Sequence, residues 1–229
     1  MKRLIKAFYP DVCPRCDKVI GRVGLCKDCK DTFKYIGEPI CGVCGRTMEF
    51  DGFMCEDCRK LKHYFKRNVS VFEYKGDIKQ TIYRFKYSNM RCYAEFFAEE
   101  AVKRYGKLLK AWKIDAIVAV PMYAPKQRKR GYNQAEEFAS ALAKETGIKV
   151  DRKLLKRTKD TAPMKMLSKQ QRYENLLKAF AVSRSRPKYK RVLVVDDIFT
   201  TGSTIDACAR VLKKNGVKEV YSLCIASGL

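Results

Sequence analysis

Long apolar stretches are missing from this sequence of 229 residues. No run approaches the ~20 consecutive apolar residues that a membrane-spanning helix requires, which excludes a helical membrane protein. The basic start contains only a short apolar core, which Lys6 interrupts, so it lacks the pattern of a secretory signal peptide. We therefore expect a cytoplasmic protein, and its charge also allows a position at the inner face of the membrane.

Acidic residues are scarce. The chain has 25 Asp and Glu against 49 Lys and Arg, which gives a formal net charge of +24. Residues 123–191 alone contain 20 basic and 6 acidic residues, so more than half of the excess lies in less than a third of the chain. A solvated lysine-rich surface is one explanation. The clustering favours a face that binds an anionic partner, such as nucleic acid, a polyphosphate or anionic lipid.

Histidine is almost absent, whereas cysteine is abundant. The single histidine, His63, lies outside the spacing of the cysteine motifs, and we predict a surface position for it, with metal binding as the less favoured alternative. The chain has 11 cysteines, and in a cytoplasmic protein metal ligands explain them better than disulfides do. Three of them stand alone and are predicted to be buried small apolar side chains: Cys92, Cys208 and Cys224.

Eight cysteines form four C-x2-C motifs in the N-terminal third of the chain. Each motif lets two thiolates hold one ion, and two motifs make one closed four-thiolate site, which is typical of structural zinc. We predict that neighbouring motifs pair, although the spacing also permits an interleaved pairing. The predicted ligands are Cys13, Cys16, Cys26 and Cys29 for one Zn²⁺ and Cys41, Cys44, Cys55 and Cys58 for the other. Zinc should stabilise this region, which is too small and polar to fold alone.

The stretch 192–204 combines a predicted buried strand, two acids and a hydroxyl-rich turn. Four branched apolar residues, 192–195, predict a strand that is buried on both faces of a parallel sheet. Asp196 and Asp197 follow, and then come a small-residue turn and an amphipathic helix. Such a turn gathers backbone N–H groups and the positive end of the helix dipole around one phosphate.

The paired acids beside a phosphate site need a separate explanation. Carboxylates suit vicinal ribose hydroxyls or Mg²⁺, so the stretch predicts a site for a ribose 5-phosphate. The alternative is that the acids simply cap the helix, but one acid would suffice for a cap.

The remaining two-thirds of the chain alternates predicted strands and helices, which indicates an α/β fold with a mainly parallel sheet. Strands are predicted at 69–74, 115–121 and 217–226. Helices are predicted at 78–85 and 94–109 and after Asn133, whose spacing to Glu136 fits a capping box.

A basic loop follows the predicted strand 115–121, with Lys126, Arg128 and Arg130. The carboxyl ends of parallel strands share one sheet edge, so this loop should lie near the paired acids. Arginine grips phosphate oxygens bidentately, and we predict that the loop holds a pyrophosphate, with a solvated basic loop as the alternative.

Residues 154–180 have few apolar anchors. They are predicted to form a lid over the ligand, with Arg172 and Asn175 as candidate contacts, or otherwise a plain polar excursion.

The stretch 192–204 closely resembles the motif by which type I phosphoribosyltransferases bind phosphoribosyl pyrophosphate (PRPP). The resemblance implies that Asp196 and Asp197 form the catalytic centre and hold the ribose hydroxyls, with Mg²⁺ bound alongside PRPP. It also implies a 5′-phosphate site formed by the loop residues Thr200, Thr201, Gly202, Ser203 and Thr204.

Nearly the whole chain resembles the ComF family, competence-associated phosphoribosyltransferase-like proteins with an N-terminal zinc ribbon. The matching blocks are 7–10, Tyr74-x-Gly76 with 85–87, 120–121 with 130–135, Arg172-x-x-Asn175 and 179–180. Met164 departs from the pattern, because the family usually has glutamine there. The resemblance implies a double zinc ribbon at residues 1–62. It also implies a type I phosphoribosyltransferase-like α/β domain at 63–229, with an open, mainly parallel sheet and flanking helices.

The family resemblance further implies a role in DNA uptake during natural transformation and a partnership with the ComF helicase. Two main functions agree with the sequence. The first is transfer of phosphoribosyl from PRPP to an unidentified acceptor. The second is non-catalytic handling of single-stranded DNA, in which the excess Lys and Arg would follow the phosphates. A PRPP-sensing regulator is a third possibility.

Overall fold

A computed structural model describes residues 11–159, 176, 178–183 and 188–228. Its strands are β1 (Arg67–Glu73), β2 (Ala116–Ala119), β3 (Leu155–Arg157), β4 (Phe180–Val182), β5 (Arg191–Phe199) and β6 (Glu219–Ser227). Its helices are α1 (Glu56–Lys60), α2 (Asp77–Tyr87), α3 (Tyr93–Trp112), α4 (Ala124–Arg130), α5 (Gln134–Thr146) and α6 (Ser203–Lys214), and a 3₁₀ turn spans Lys27–Cys29. No helix in this described part of the chain is long and apolar enough to cross a bilayer.

The central sheet is parallel, with the strand order β1-β6-β5-β2. The predicted buried strand is therefore confirmed, since β5 pairs on both sides and residues 192–195 are fully buried. The sequence pattern predicted that this strand ends before the acids, and that prediction is wrong. β5 continues to Phe199, because Ile198 and Phe199 still pair with Ala226 and Ser227 of β6. Both acids consequently lie within the last part of the strand.

Each face of β5 packs against a different layer. Leu193 and Val195 belong to the core that includes α2, α3 and α5, whereas Val192 and Val194 belong to the core that includes α6. Side chains alternate between the faces of a strand, so the same alternation applies to the two acids that follow. A separate antiparallel pair, β3 and β4, packs beside α6.

Asn133 caps the start of helix α5, as predicted, but Glu136 Oε1 meets the Asn133 side-chain Nδ2 at 3.4 Å instead of the backbone N that a capping box uses. Asn133 Oδ1 accepts a hydrogen bond from Ala135 N at 3.0 Å. Its Nδ2 donates to Val120 O, at the end of β2, which fixes the helix start against the sheet edge. Because Asn133 is buried, both halves of its amide need these partners.

The cysteine-rich segment packs directly on the α/β sheet. Asn68, at the start of β1, is fully buried: its backbone N donates to Val43 O and its Nδ2 to Cys44 O. A Cβ on Gly45 would lie 2.5 Å from Asn68 O, so this close approach requires glycine. On the other side, Thr81 Oγ1 and Arg84 of α2 both donate to Pro14 O. The predicted boundary between residues 62 and 63 stays a prediction, and buried contacts cross it.

Candidate functional site

Two four-cysteine clusters stand out in the N-terminal segment. The four Sγ atoms of each cluster lie within 4.8 Å of one another. Cys16 and Cys26 Sγ are 3.8 Å apart, and Cys44 and Cys55 Sγ are 3.7 Å apart. Four sulfurs bound tetrahedrally at about 2.3 Å from Zn²⁺ would be about 3.8 Å apart, so both clusters fit zinc. The clusters pair neighbouring motifs, as predicted, and exclude the interleaved alternative: Cys13, Cys16, Cys26, Cys29 and Cys41, Cys44, Cys55, Cys58.

The single histidine lies beside the second of these clusters. The prediction of a surface position for His63 is wrong, because its side chain is only 7% exposed. Its Nε2 lies 3.6 Å from Cys58 Sγ, and its Nδ1 is hydrogen-bonded to Asp206 Oδ2 at 2.9 Å. The partner acid lies 143 residues further along the chain, so spacing alone could not identify this contact.

The two acids of β5 occupy different environments. Asp197 is 5% exposed, and its Oδ2 lies 2.8 Å from Nζ of Lys86, near the end of α2. Asp196 faces the opposite layer, is partly exposed, and accepts a hydrogen bond from the backbone N of Asp197 at 2.9 Å. Asp196 is therefore the acid with access to the open edge, whereas the buried Asp197 pairs with Lys86, whose side chain is 19% exposed.

The charge states of this trio are coupled. Burial, followed by the nearby charge of Asp197, raises the pKa of Asp196 well above the ordinary range of an aspartate. Burial on its own would lower the pKa of Lys86, but the charges of Asp197 and Asp196 outweigh it and raise that pKa. The site thus has two closely spaced carboxyl groups and one ammonium group. A bound cation would stabilise both carboxyl groups in their ionised form.

The hydroxyl-rich turn connects β5 to α6. Gly202 has φ of +77°, and a Cβ there would lie 2.8 Å from the ring of Phe199, so only glycine fits without strain. No side chain caps the start of α6, and Ser203 N reaches the Thr201 hydroxyl only at 3.5 Å. The hydroxyls of Thr201 and Ser203 lie 2.8 Å apart. This helix start, with exposed Thr200 and Thr201, can accept an anion in place of a cap.

The predicted basic loop is a short helix, α4, which Pro125 helps to start. Lys126, Arg128 and Arg130 all lie on α4. The guanidinium of Arg130 stacks over the ring of Tyr87 at 4.7 Å, which brings this end of α4 against the end of α2. Arg128 lines an open depression of about 400 Å³ together with Ala124, Gln127 and Gly131.

Other predicted residues have mixed outcomes. Cys208 and Cys224 are buried, as predicted, but Cys92 is exposed, because it precedes the first turn of α3 instead of lying on its packed face. The predicted lid contacts Arg172 and Asn175 lie outside the described residues. Lys86 lies in the family block 85–87, but the sequence assigned it no role in the site. Its partner Asp197 is distant in sequence, so the ion pair could not be predicted.

The fold and these sites define a class of protein. Residues 4–59 match the family described as "Double zinc ribbon domain", and residues 98–229 match the family described as "Phosphoribosyl transferase domain". Together with the parallel sheet and the strand–turn–helix of 191–214, these matches define a type I phosphoribosyltransferase-like α/β fold preceded by a double zinc ribbon.

Comparison with whole proteins narrows the class. The chain is 34% identical over 209 residues to competence protein F of Haemophilus influenzae, covering 88% of this chain and 89% of that protein. It is 29% identical over 210 residues to competence protein ComFC of Streptococcus pneumoniae, covering 88% and 86% respectively. It is 26% identical over 229 residues to DNA utilization protein YhgH of Escherichia coli K12, covering 96% and 98%. The chain belongs to the ComF family of phosphoribosyltransferase-domain proteins.

Proposed function

We propose that the chain binds PRPP with Mg²⁺ at the carboxyl end of β5. The observation that carries the proposal is the juxtaposition of an uncapped helix start with two carboxyl groups on the preceding strand. The turn 200–204 would hold the 5′-phosphate with backbone N–H groups and hydroxyls. Asp196, at the open edge, would face the ribose hydroxyls.

The remaining charges suit the pyrophosphate end of PRPP. Asp196 and Asp197 offer carboxylate oxygens for Mg²⁺, which binds through one or two carboxylates plus substrate oxygens and, when bound, neutralises charge on the leaving group. Lys86 supplies a positive charge beside Asp197, and the basic residues of α4, which contacts the end of α2 through Arg130 and Tyr87, would supply further positive charge. Oδ2 of Asp197 is buried and accepts no hydrogen bond within the described chain besides its ion pair, so it has capacity for a further cation.

If transfer occurs, the bond between ribose C1 and the pyrophosphate oxygen breaks and C1 forms a bond to the acceptor. The protein would contribute by positioning and by stabilising charge on the departing pyrophosphate. Release of pyrophosphate from PRPP across a panel of bases and amines separates an enzyme from a binding protein. Release with one acceptor establishes transfer, and no release above the acceptor-free rate restricts the site to binding.

Ligand binding itself is expected to raise the melting temperature. At a PRPP concentration about 100 times Kd, the stabilisation is about 2.7 kcal/mol, which corresponds to about 5–10 °C for a chain of this size. Ribose 5-phosphate should give a smaller shift, because it keeps the 5′-phosphate that the turn binds but lacks the pyrophosphate. Pyrophosphate alone should give the smallest shift, because it lacks both the ribose and the 5′-phosphate. A melting temperature that PRPP with Mg²⁺ leaves unchanged would count against the site.

A second function, binding of single-stranded DNA, is favoured by an exposed aromatic pair on α2. Tyr83 and Tyr87 are 60% and 59% exposed, and their ring centroids are 4.8 Å apart. Arg130 stacks on Tyr87. Exposed aromatic rings beside arginine provide a surface on which unpaired bases stack, while neighbouring basic residues follow the phosphates. The helicase partnership that the family resemblance implies would belong to this second function.

We expect single-stranded DNA to bind at ~50 mM salt and to dissociate steeply as salt rises. The double variant Tyr83→Ala with Tyr87→Ala should weaken binding about 5- to 100-fold, because stacking contributes about 1–3 kcal/mol per base. The measurement is fluorescence anisotropy with a labelled oligonucleotide.

Two controls assign the DNA surface. Tyr83→Phe with Tyr87→Phe keeps the rings and should bind as the wild type does. Phe50→Ala removes an exposed aromatic residue from the second ribbon, and a loss with this variant alone would move the interface to the ribbon. Absence of binding at ~50 mM salt would exclude the second function.

A further inference from the structure

The buried His63 joins two parts of the molecule that have separate roles. One ring nitrogen lies 3.6 Å from the sulfur of Cys58, a ligand of the second zinc site. The other lies 2.9 Å from Oδ2 of Asp206, on the first turn of α6. Both side chains of the His63–Asp206 pair are 7% exposed, so solvent does not replace this contact. Hydrogen bonds from a neighbouring group to a metal ligand typically orient the ligand and tune the metal site.

Asp206 is attached closely to the phosphate turn. Its backbone N donates to Gly202 O at 2.8 Å, which closes the first turn of α6. Its second carboxylate oxygen accepts a hydrogen bond from Tyr64 N at 2.7 Å. Both oxygens of Asp206 are therefore used to hold residues 63–64 against the helix start, and neither is directed to an incoming anion.

Phe65 provides a second contact along the same path. Its ring stacks on His63 at 4.5 Å between centroids and meets Phe199 edge-on at 5.9 Å. A Cβ at Gly202 would lie 3.4 Å from the Phe65 ring, so this ring packs closely beside Gly202 of the turn. The path from the zinc thiolate to the phosphate turn is thus continuous and consists of packed, buried groups.

We propose that His63 and Asp206 couple the second zinc site to the phosphate turn. Zinc held by the second cluster fixes Cys58 and His63, and His63 fixes the first turn of α6 in the geometry that receives a phosphoryl group. Coupling between two binding sites is reciprocal, so a ligand in the turn must also retain zinc more tightly. His63 and Asp206 are positioning residues in this scheme. The inference rests on the phosphate site proposed above.

The test measures the zinc affinity of the full chain by equilibrium competition with a chromogenic chelator, with and without saturating ribose 5-phosphate. For the wild type, the ligand is expected to raise the affinity for one of the two zinc ions about 5- to 150-fold, the usual range of coupling between sites. The affinity for the other ion, in the first cluster, should not change. In His63→Ala, the ligand should no longer raise the zinc affinity, and affinity for ribose 5-phosphate should fall by the same factor.

Controls separate coupling from general damage. Lys62→Ala changes an exposed neighbour of His63 and should behave as the wild type does. Asp206→Asn keeps the shape of the side chain and should weaken the coupling, which preserves the test if the alanine variant fails to fold. Wild-type protein that binds ribose 5-phosphate yet holds both zinc ions with unchanged affinity overturns the coupling alone. Wild-type protein that binds neither ribose 5-phosphate nor PRPP overturns the proposed function together with the coupling.

Discussion

Replacing Cys58 with serine is expected to unfold the α/β domain as well as the ribbon that contains it. The cysteines of the second cluster belong to the same buried core as Val118 of β2 and Val192 of β5. Cys13, Cys26 and Cys29 of the first cluster form a small core with Ile20 and Leu25, and this core meets the main one through partly buried residues such as Leu25. Structural zinc contributes about 10–16 kcal/mol in small zinc-binding domains, more than the typical total stability of a domain. Loss of zinc from the second site should therefore unfold the sheet as well as the ribbon.

The matched variant is Cys16→Ser, in the first cluster, where Cys16 is exposed. It should lose one zinc ion but keep the circular dichroism spectrum of the folded sheet and helices. Cys92→Ser removes an exposed cysteine outside both clusters and should change neither zinc content nor melting temperature. Zinc analysis of the wild type should give two ions per chain. Equal melting temperatures for Cys58→Ser and Cys16→Ser would contradict this account of the two ribbons.

Asp196→Asn is expected to stabilise the free protein while removing its response to PRPP. The pKa of Asp196 is raised in the folded state by burial and by Asp197, so the neutral form is the one that the fold favours. Stability from this group is fully present below the ordinary aspartate pKa of ~3.9 and is lost as the pH rises toward the raised folded-state pKa. Asparagine cannot ionise, so its advantage over the wild type should grow between pH 5 and pH 8 and exceed about 1 kcal/mol, or about 2–4 °C.

Asp197→Asn should have the opposite effect, although the two acids are adjacent. It would leave the partly buried Lys86 without its ion-pair partner, and breaking a fully buried pair typically destabilises by about 3–5 kcal/mol, so we expect a loss below this range. Thermal melts of both variants at pH 5.5, 7.0 and 8.5, without added Mg²⁺, make the comparison. An Asp196→Asn variant that melts below the wild type at pH 8.5 would show that Asp196 does not carry the unfavourable charge.

Local patterns predicted those parts of the fold that depend on neighbouring residues. The apolar run 192–195 predicted the central strand because full burial on both faces leaves no alternation. The C-x2-C spacing predicted the zinc ligands because a knuckle needs only a few adjacent residues. The run of basic residues after β2 was predicted to be a loop, since their polarity concealed a short helix that begins at Ala124 and ends at Arg130.

Contacts across long sequence separations could not be predicted in this way. Lys86 meets Asp197, and His63 meets Asp206, only because α2 and residues 61–66, which link α1 to β1, pack on opposite faces of the same sheet. Each residue has an ordinary sequence context: a lysine near a helix end and a lone histidine in a basic linker. Their roles follow from tertiary packing, which buries them, and burial is what makes a charged partner necessary.

Isothermal titration calorimetry of PRPP with Mg²⁺ tests the central claim, that the acids of β5 and the turn before α6 form one PRPP site. The wild type should bind one PRPP per chain. The variant with both Asp196→Asn and Asp197→Asn should bind at least about 100-fold more weakly, because two charge-assisted contacts contribute about 3 kcal/mol or more. Its circular dichroism spectrum would verify that the fold is intact. Equal affinity of a folded double variant and the wild type would place PRPP elsewhere and contradict the account.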